Sequence, residues 1–473
     1  MTAAADNMIF SADTCGALRF GFDAVEDRGR RKPPVMRLQS EDDEVTSLQR
    51  GQLITLSRDL RRNFSIAAWA VRKHLDYVAT FTFQAKTGDP KLDNRIEDLV
   101  RWWSEARNFD AASRHGLRRH TRLVEAHRAL DGDILTLKLS TGKLQTVEGD
   151  RIRTPTSWPP TMRRLPDWLP RMRHGVLLGD LGESLAFAVN RRGGAFQIGP
   201  DWMRSPNTFT FERLVPAGDC VHLGYFDRID QIRGLSQFAA ALNPIRDVYE
   251  GLDYALAKAK IAQMVGLKMT GFDTENLPDE IDWGRGPVAL KLREGENIEL
   301  VQGNTPTSEW QEFINFEIAA GLKAFDIPFL FYDERIGNYS KDRSAWLQYD
   351  NSAEQKREDL REYLDDLTAW RLGMFVAYGT LDLPRGFNLA KDLRWEWISN
   401  RVPWIDPLRE VQAYRQAVSG GFDSTPGVCT RMGADAYENA DREAAYQNYR
   451  LSLGLPRTDV PLAPVPVTIN EAP

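Results

Sequence analysis

Residues 234–266, GLSQFAAALNPIRDVYEGLDYALAKAKIAQMVG, have the length and pattern of one long helix. Apolar or small residues recur at Phe238, Leu242, Ile245, Val248, Leu252, Ala255 and Ala259, in steps of three and four that line up one face. Arg246, Glu250, Asp253 and Lys260 form a charged stripe beside it, with Arg246 and Glu250 spaced as an i,i+4 pair. Ser236 is the expected N-cap and Gly266 the expected C-terminal stop. Pro244, near the first turns, removes one backbone donor and marks either a kink or a second helix start. Ala255, Ala257, Ala259 and Ala262 leave room for a neighbouring helix to approach closely. Alone, the stretch is a core helix of a globular domain; its surroundings say more.

The chain of 473 residues is long enough for roughly two to four domains with ample core. Hydrophobic residues at 42% and charged residues at 27% are ordinary for a soluble globular protein, which excludes a disordered chain. A net charge of -6 gives no basic footprint for a tight grip on duplex DNA. Any nucleic acid handled by such a chain is not clamped. Cys15, Cys220 and Cys429 are odd in number and far apart, so neither a disulfide framework nor a cysteine metal site follows. There is no apolar run of about 18 residues, hence no expected transmembrane helix. The first twenty residues lack the basic and apolar regions of a signal peptide, so a soluble protein of a reducing compartment is expected. The 13 tryptophans, some in pairs such as Trp102–Trp103 and Trp395–Trp397, suggest large packed or subunit-facing surfaces.

Upstream of the central stretch, residues 1 to about 45 are polar and broken and read as an arm with little core of its own. Helices follow with Leu53, Leu56 and Leu60 on one face, then Ile66, Ala70 and Leu75. Between them the basic RDLRRN, 58–63, is a solvated helix end or a set of salt bridges. Further helices are expected from Asp93 (Ile96, Leu99, Val100, Trp103) and from about Asp110 to Leu130. At Asp131 the period changes to two. DGDILTLKLS sets Leu135, Leu137 and Leu139 on one face and Thr136 and Lys138 on the other, a half-buried strand after an Asp-Gly turn. Strand-like pieces continue to about residue 226, so residues 110–230 read as α+β with a mostly antiparallel sheet.

Downstream, residues 267–307 are short-stranded and turn-rich, too small for a large core. Ser308-Glu309-Trp310-Gln311 matches a capping box, followed by the apolar face Phe313, Ile314, Ile318, Leu322 and Phe325, ended by Asp326-Ile327-Pro328. The loop FLFYDERIGNYS leads to a long helix from about Lys341 to Tyr378, with Trp346, Tyr349, Ala353, Leu360, Leu364, Leu367 and Met374 in rhythm. Its EQKREDLRE run is a solvated or intersubunit face. LRWEWIS is a short strand alternating Leu393, Trp395 and Trp397. A helix begins near Pro407, the last runs from Asp435 to Ser452, and the tail is Pro-rich.

Several chemistries leave no trace. No G-x-x-x-x-G-K-[ST] loop is present to cradle phosphates, and no G-x-S-x-G elbow. His115, His120 and His127 share a helical segment at steps that fit a metal face poorly, so they read as surface or capping residues. The carboxylate pairs Asp365–Asp366 and Glu41–Asp42 look exposed, with nothing to make one a general acid. No catalytic, metal or cofactor-binding residue is assigned, and a non-enzyme is expected.

The order of pieces resembles the portal proteins of tailed bacteriophages, the lambda-type portal family. Five stretches carry the resemblance: Arg58-Asp59-Leu60-Arg61-Arg62-Asn63 ahead of a helix; Val147-Glu148-Gly149-Asp150-Arg151-Ile152; Arg233-Gly234-Leu235-Ser236 after Val221-His222; Asn338-Tyr339-Ser340 with Arg343; and Pro403-Trp404-Ile405-Asp406-Pro407. The resemblance implies an α+β portal-type fold: an arm (1–48), an α/β wing (49–235), a stem helix (236–266), a small α/β clip (267–307) and a second stem helix (308–326). A tunnel loop, long helix and returning wing segment (327–404), a helical crown (405–455) and a tail (456–473) would follow. It implies a homo-oligomeric ring, typically a dodecamer, at one capsid vertex of the virion, assembled in the host cytoplasm. Double-stranded DNA would be packaged through its channel by a terminase motor and later ejected, with capsid or scaffold protein and a head–tail connector as further partners and no membrane or cofactor. Arg335, Lys341, Arg343, Lys258, Lys260 and Lys268 would offer screened phosphate contacts in the channel, or else ordinary intersubunit salt bridges. Asp279, Glu280, Asp282, Trp283 and Arg285 would lie where motor and connector dock. The alternatives are a head–tail adaptor, for which the chain is long, and a metal-dependent nuclease using scattered carboxylates.

Overall fold

The computed structural model describes residues 40–158, 165–192, 209–263, 266–270, 297–301, 308–333, 339–399 and 407–457. In chain order, α1 (Glu41–Glu44), α2 (Ser47–Asn63) and α3 (Ser65–Val78) precede β1 (Phe81–Ala85), α4 (Pro90–Trp103), α5 (Ala106–Phe109) and α6 (Leu117–Asp131). Strands β2 (Asp133–Lys138), β3 (Leu144–Glu148), β4 (Met172–Arg173), β5 (Val176–Leu178), β6 (Ser184–Arg192), β7 (Phe209–Pro216) and β8 (Cys220–Gly224) follow. Then come α7 (Leu242–Gln263), β9 (Gly266–Thr270), β10 (Asn297–Val301), α8 (Ser308–Leu322) and α9 (Tyr339–Ala377). The chain continues with α10 (Leu389–Asp392), β11 (Trp395–Ser399), α11 (Pro407–Ser419), α12 (Thr425–Arg431) and α13 (Ala436–Ser452). Two compact units result: Met1–His74 with Leu123–Leu139 and Leu144–Ser352, and Leu75–Arg122 with Ser140–Lys143 and Ala353–Pro473.

Among the described residues the first unit holds three antiparallel sheets, of strand order β3-β2-β8, β4-β5-β6-β7 and β9-β10. Leu135, Leu137, Val147, Val176, Phe187 and Val215 join in one apolar cluster. The expected antiparallel α+β character is therefore present. The half-buried β2 is not: Thr136 is as fully buried as Leu135. Its hydroxyl meets that of Thr146 directly across the ladder at 3.1 Å, which satisfies a polar group inside. The arm also departs from expectation, because Val45 and Asp42 are buried and the Asp42 carboxylate accepts the Ile232 N–H at 2.8 Å. Glu41–Asp42 is thus not an exposed pair. Helix α2 begins at Ser47, capped by Thr46 in a reciprocal capping box with Gln49.

The central stretch is not one helix from its first residue. A single 3₁₀ turn, Ala239–Ala241, precedes α7, so Pro244 sits in the first turn, where its missing N–H has no carbonyl to lose. Ser236 does not cap α7; its hydroxyl accepts the Phe238 N–H and donates to Ala129 C=O. Gly266 opens β9 rather than closing the helix. Leu242, Ile245 and Val248 are buried, but Leu252 and Leu256 further along are exposed. Helix α8 runs antiparallel beside α7: a Cβ on Gly321 would meet Ile245 Cγ1 at 2.7 Å, and one on Gly251 would meet Ile314 at 3.5 Å. Ile314, Ile318 and Leu322 fill the joint, whereas Phe313, assigned to that face from sequence, is 58% exposed. Ser308 is itself the first helical residue, and the residues before it lie outside those described. Asp326, at φ 59°, ends this arm in a left-handed residue.

The second unit is built around Trp103 and Phe109, both buried, with rings 4.8 Å apart. Its two-stranded sheet pairs β1 with β11 antiparallel, Phe83 opposite Trp397. Leu393, assigned to this strand, precedes it. The helix expected from Asp110 begins only at Leu117, because the Asp110 carboxylate accepts the N–H groups of Ala112, Arg114 and His115 and holds a turn there instead. The EQKREDLRE run is not simply solvated: Arg357 is fully buried, donating to Tyr77 C=O and to Glu354 at 2.8 Å each. Asp365 is half-buried and accepts the Trp395 indole N–H at 2.7 Å.

Candidate functional site

The 3₁₀ turn that leads into α7 is anchored by a buried polar knot in the first unit. Arg233 is fully buried, and all of its N–H donors find acceptors. Its Nε and Nη2 grip the Asp133 carboxylate; Nη2 also donates to Gly149 C=O at 2.9 Å, and Nη1 to His174 C=O at 2.7 Å and Ile152 C=O. Asp133 additionally pairs with His222 Nε2 at 3.1 Å and accepts the Gly234 N–H at 3.1 Å. Burial opposes the charged carboxylate, yet the Arg233 guanidinium and these hydrogen bonds hold it well below the usual range. Arg50 reaches Gly234 C=O from α2; burial and the neighbouring Arg233 charge lower its guanidinium to about 10. Gly132 and Gly234 lie backbone to backbone. A Cβ on Gly132, at φ +95°, would sit 2.5 Å from Gly234 O, and one on Gly234 2.2 Å from Gly132 O.

A second cluster joins two of the quoted sequence motifs. Arg58 donates to both oxygens of Asp131 at 2.8 and 2.6 Å, to Glu148 at 3.0 Å and to Asp150 at 3.1 Å. Arg192 closes on Glu148 and Asp150 from β6. RDLRRN is therefore salt-bridged at its first residue. His127 stands 2.8 Å from Asp131, and His127, Asp131 and Glu148 offer atoms within 4.8 Å of one another. Both carboxylates are already bound by guanidinium groups, so the donor set fits an ion-pair cluster rather than a cation site.

A third cluster was not visible in the sequence. Glu125, fully buried, accepts from His74 Nε2 at 2.6 Å, Arg128 Nε at 2.7 Å and the Tyr225 hydroxyl at 2.8 Å. Burial raises its pKa, but Arg128 and His74 win and hold it at about 2. His74 lies one turn from Ala70 on the buried face of α3, which was the available signal. In the second unit His120 is also buried, bonded to the Tyr363 hydroxyl at 3.0 Å, not at the surface; burial lowers it to about 4.

The described candidate cations fall on three elements, α7, α9 and β9. Lys258 and Lys260 are exposed on the last turns of α7, and Lys341 and Arg343 are exposed at the start of α9. Lys268 belongs to β9, opposite Glu299 of β10 in the register. Arg335 and the docking candidates Asp279, Glu280, Asp282, Trp283 and Arg285 lie outside the described residues, as do Asn338 and Pro403-Trp404-Ile405-Asp406. The α7–α8 pair that carries Lys258 and Lys260 leaves Tyr254, Leu256, Phe313 and Phe316 exposed.

Among curated proteins, none matches the chain. It is similar to a solved structure of the neck of an empty gene transfer agent (GTA) particle with C6 symmetry. That match has 14% identity and a TM-score of 0.49, over 85% of this chain and 94% of that one. The neck of a native GTA particle with C12 symmetry aligns at 15% identity and 0.47, over 84% and 93%. The virion of a native GTA particle aligns at 14% and 0.45, over 86% and 94%. The sequence also matches the family model described as phage portal protein, lambda family, over residues 29–357. That span covers well over half the chain and includes Arg58, Asp133 and Arg233, and by it the chain belongs to the lambda family of phage portal proteins.

Proposed function

We propose that the chain assembles into a closed homo-oligomeric ring, a dodecamer, at a capsid vertex of the virion, and that double-stranded DNA passes through the ring. In this reading the wing, stem, clip and crown follow the order expected from the sequence, with α7 and α8 as the stem. The observation that carries it is the α7–α8 pair, whose far end leaves Tyr254, Leu256, Phe313 and Phe316 uncovered next to the exposed Lys258 and Lys260. Uncovered aromatic and aliphatic side chains on a helix pair call for a partner surface, and a second copy of the same chain supplies it in a cyclic assembly. The lysines, with Lys341 and Arg343, then provide dispersed positive charge in a protein of net charge -6, enough to screen phosphate without clamping it. The ring is a passive conduit with no catalytic step of its own; a terminase drives the DNA, and terminase and connector dock on the clip.

Electron microscopy with light scattering tests this. Rings with a central hole and the mass of a dozen subunits support the reading. A stable monomer in the presence of capsid scaffold, or divalent-metal-dependent cleavage of DNA by the purified chain, overturns it.

A further inference from the structure

In the second unit, β1 pairs with one strand among the described residues, β11. The Lys86 N–H points toward β11 and donates to Arg394 C=O at 2.8 Å. The Ala85 N–H points the other way, to the Glu97 carboxylate at 3.0 Å. By the two-residue period of a strand, Phe83 and Phe81 turn their N–H and C=O groups to that same outer side. No strand pairs with them there among the described residues.

That outer edge borders a cavity of about 730 Å³. Phe81, Thr82, Phe83 and Gln84 all line it. Alternate side chains of a strand point to opposite faces, so four consecutive residues border one space only along the edge of the strand. Arg118 and Arg119, exposed in the first turn of α6, stand in the same lining and have no partner among the described residues. Trp397 also lines it, and its indole N–H is buried without an acceptor. The cavity thus combines an open strand edge, aromatic walls and two unpaired cations, while its lining carboxylates Glu97, Asp435 and Glu438 already accept from the Ala85 N–H, the Tyr437 N–H and Arg442.

We propose that this cavity is a docking groove in which an extended, carboxylate-bearing segment of another protein adds as a third strand to β1, with its acidic side chains on Arg118 and Arg119. The backbone edge supplies affinity for any extended chain, and the two guanidinium groups select for acidic side chains. Neither ring closure nor DNA passage enters into this, so its failure leaves the proposed function standing.

The test uses the full-length protein and a fluorescein-labelled six-residue peptide of alternating glutamate and valine, followed by fluorescence anisotropy. Saturable binding is expected, weakened by about tenfold or more in Arg118→Glu with Arg119→Glu, where charge attraction becomes repulsion. Since both side chains are exposed, the variant folds; a thermal melt matching the wild type verifies this. A second arm leaves the protein unchanged: methylating the peptide's alternate backbone nitrogens along one edge abolishes binding if a strand is added. Equal binding of a lysine–valine peptide, undiminished binding of the methylated peptide, or no binding at all overturns the proposal. Binding that falls away as rising protein concentration drives self-association assigns the groove to a second copy and also overturns it.

Discussion

Arg233 and Asp133, 100 residues apart in sequence, form a bidentate ion pair with no exposure on either side chain. It ties the first residue of β2 to the segment that launches α7. Such a pair stabilises only while complete, because a lone buried charge has no water to turn to. Arg233→Ala, or Asp133→Ala, is expected to lose about 3–5 kcal/mol in urea unfolding of the first unit. A loss below 1 kcal/mol in either variant would show that the site readily admits water.

The Gly132–Gly234 contact predicts a steric effect independent of charge. Gly234→Ala drives a Cβ into Gly132 O, and Gly132→Ala adds a strained φ, so each is expected to destabilise by about 1–3 kcal/mol or more. Gly218→Ala, with nothing within 4 Å, is the control and should unfold at the wild-type temperature. Equal melting of all three would refute the close approach.

Two buried groups make stability depend on pH in the same direction. His120 has an ordinary value of 6.5, lowered by burial to about 4, so the unfolded chain takes up its proton first. The second unit should lose roughly 3 kcal/mol as pH falls from 6.5 to 4. Glu125 is depressed from 4.5 to about 2, so its contribution is full above pH 4.5 and disappears toward pH 2. Thermal melts across pH 7 to 3 should show the first limb flattened in His120→Asn; an unaltered limb would assign it elsewhere.

For the ring, Phe316→Asp is expected to leave a folded chain by circular dichroism but to shift light scattering from rings to monomers, since Phe316 is 67% exposed in the single chain. Rings in undiminished yield would remove this face from the interface.

For the channel, Lys341→Glu with Arg343→Glu should leave ring assembly intact while lowering DNA packaged per particle. Both side chains are exposed, so folding is not at stake. Full packaging would take these two residues out of the channel.

The sequence revealed what local rules govern. Strand-like stretches became β2, β3 and β5 to β8, and Pro244, read as a kink or a second helix start, falls in the first turn of α7. Long-range pairing was hidden. Arg233 and His222 stood out within motifs, but nothing local pairs either with Asp133, which stood without a role at the head of the strand-like stretch after the Asp-Gly turn. The buried state of Thr136 depended on a hydroxyl across the ladder, and that of His120 on Tyr363, 243 residues away. Phe313 was placed inward by a spacing rule that cannot tell a buried face of a helix from an exposed apolar one. The cation candidates were chosen by charge alone. Exposure supports Lys258, Lys260, Lys341 and Arg343, and their part in a channel is a proposal.

The β1–β11 ladder carries a consequence for synthesis. Its flanking ion pair, Lys86 with Glu396, spans 310 residues, so the first strand leaves the ribosome long before the second exists. At bacterial translation speeds that interval is roughly 15–60 s. During it Phe81–Ala85 exposes two unpaired edges instead of one, and the second unit cannot close its sheet. The first unit ends at Ser352 and can be complete beforehand. The order of synthesis thus sets an order of maturation: the part bearing the α7–α8 pair is finished first, on every nascent chain, while its companion is still waiting for its last strand.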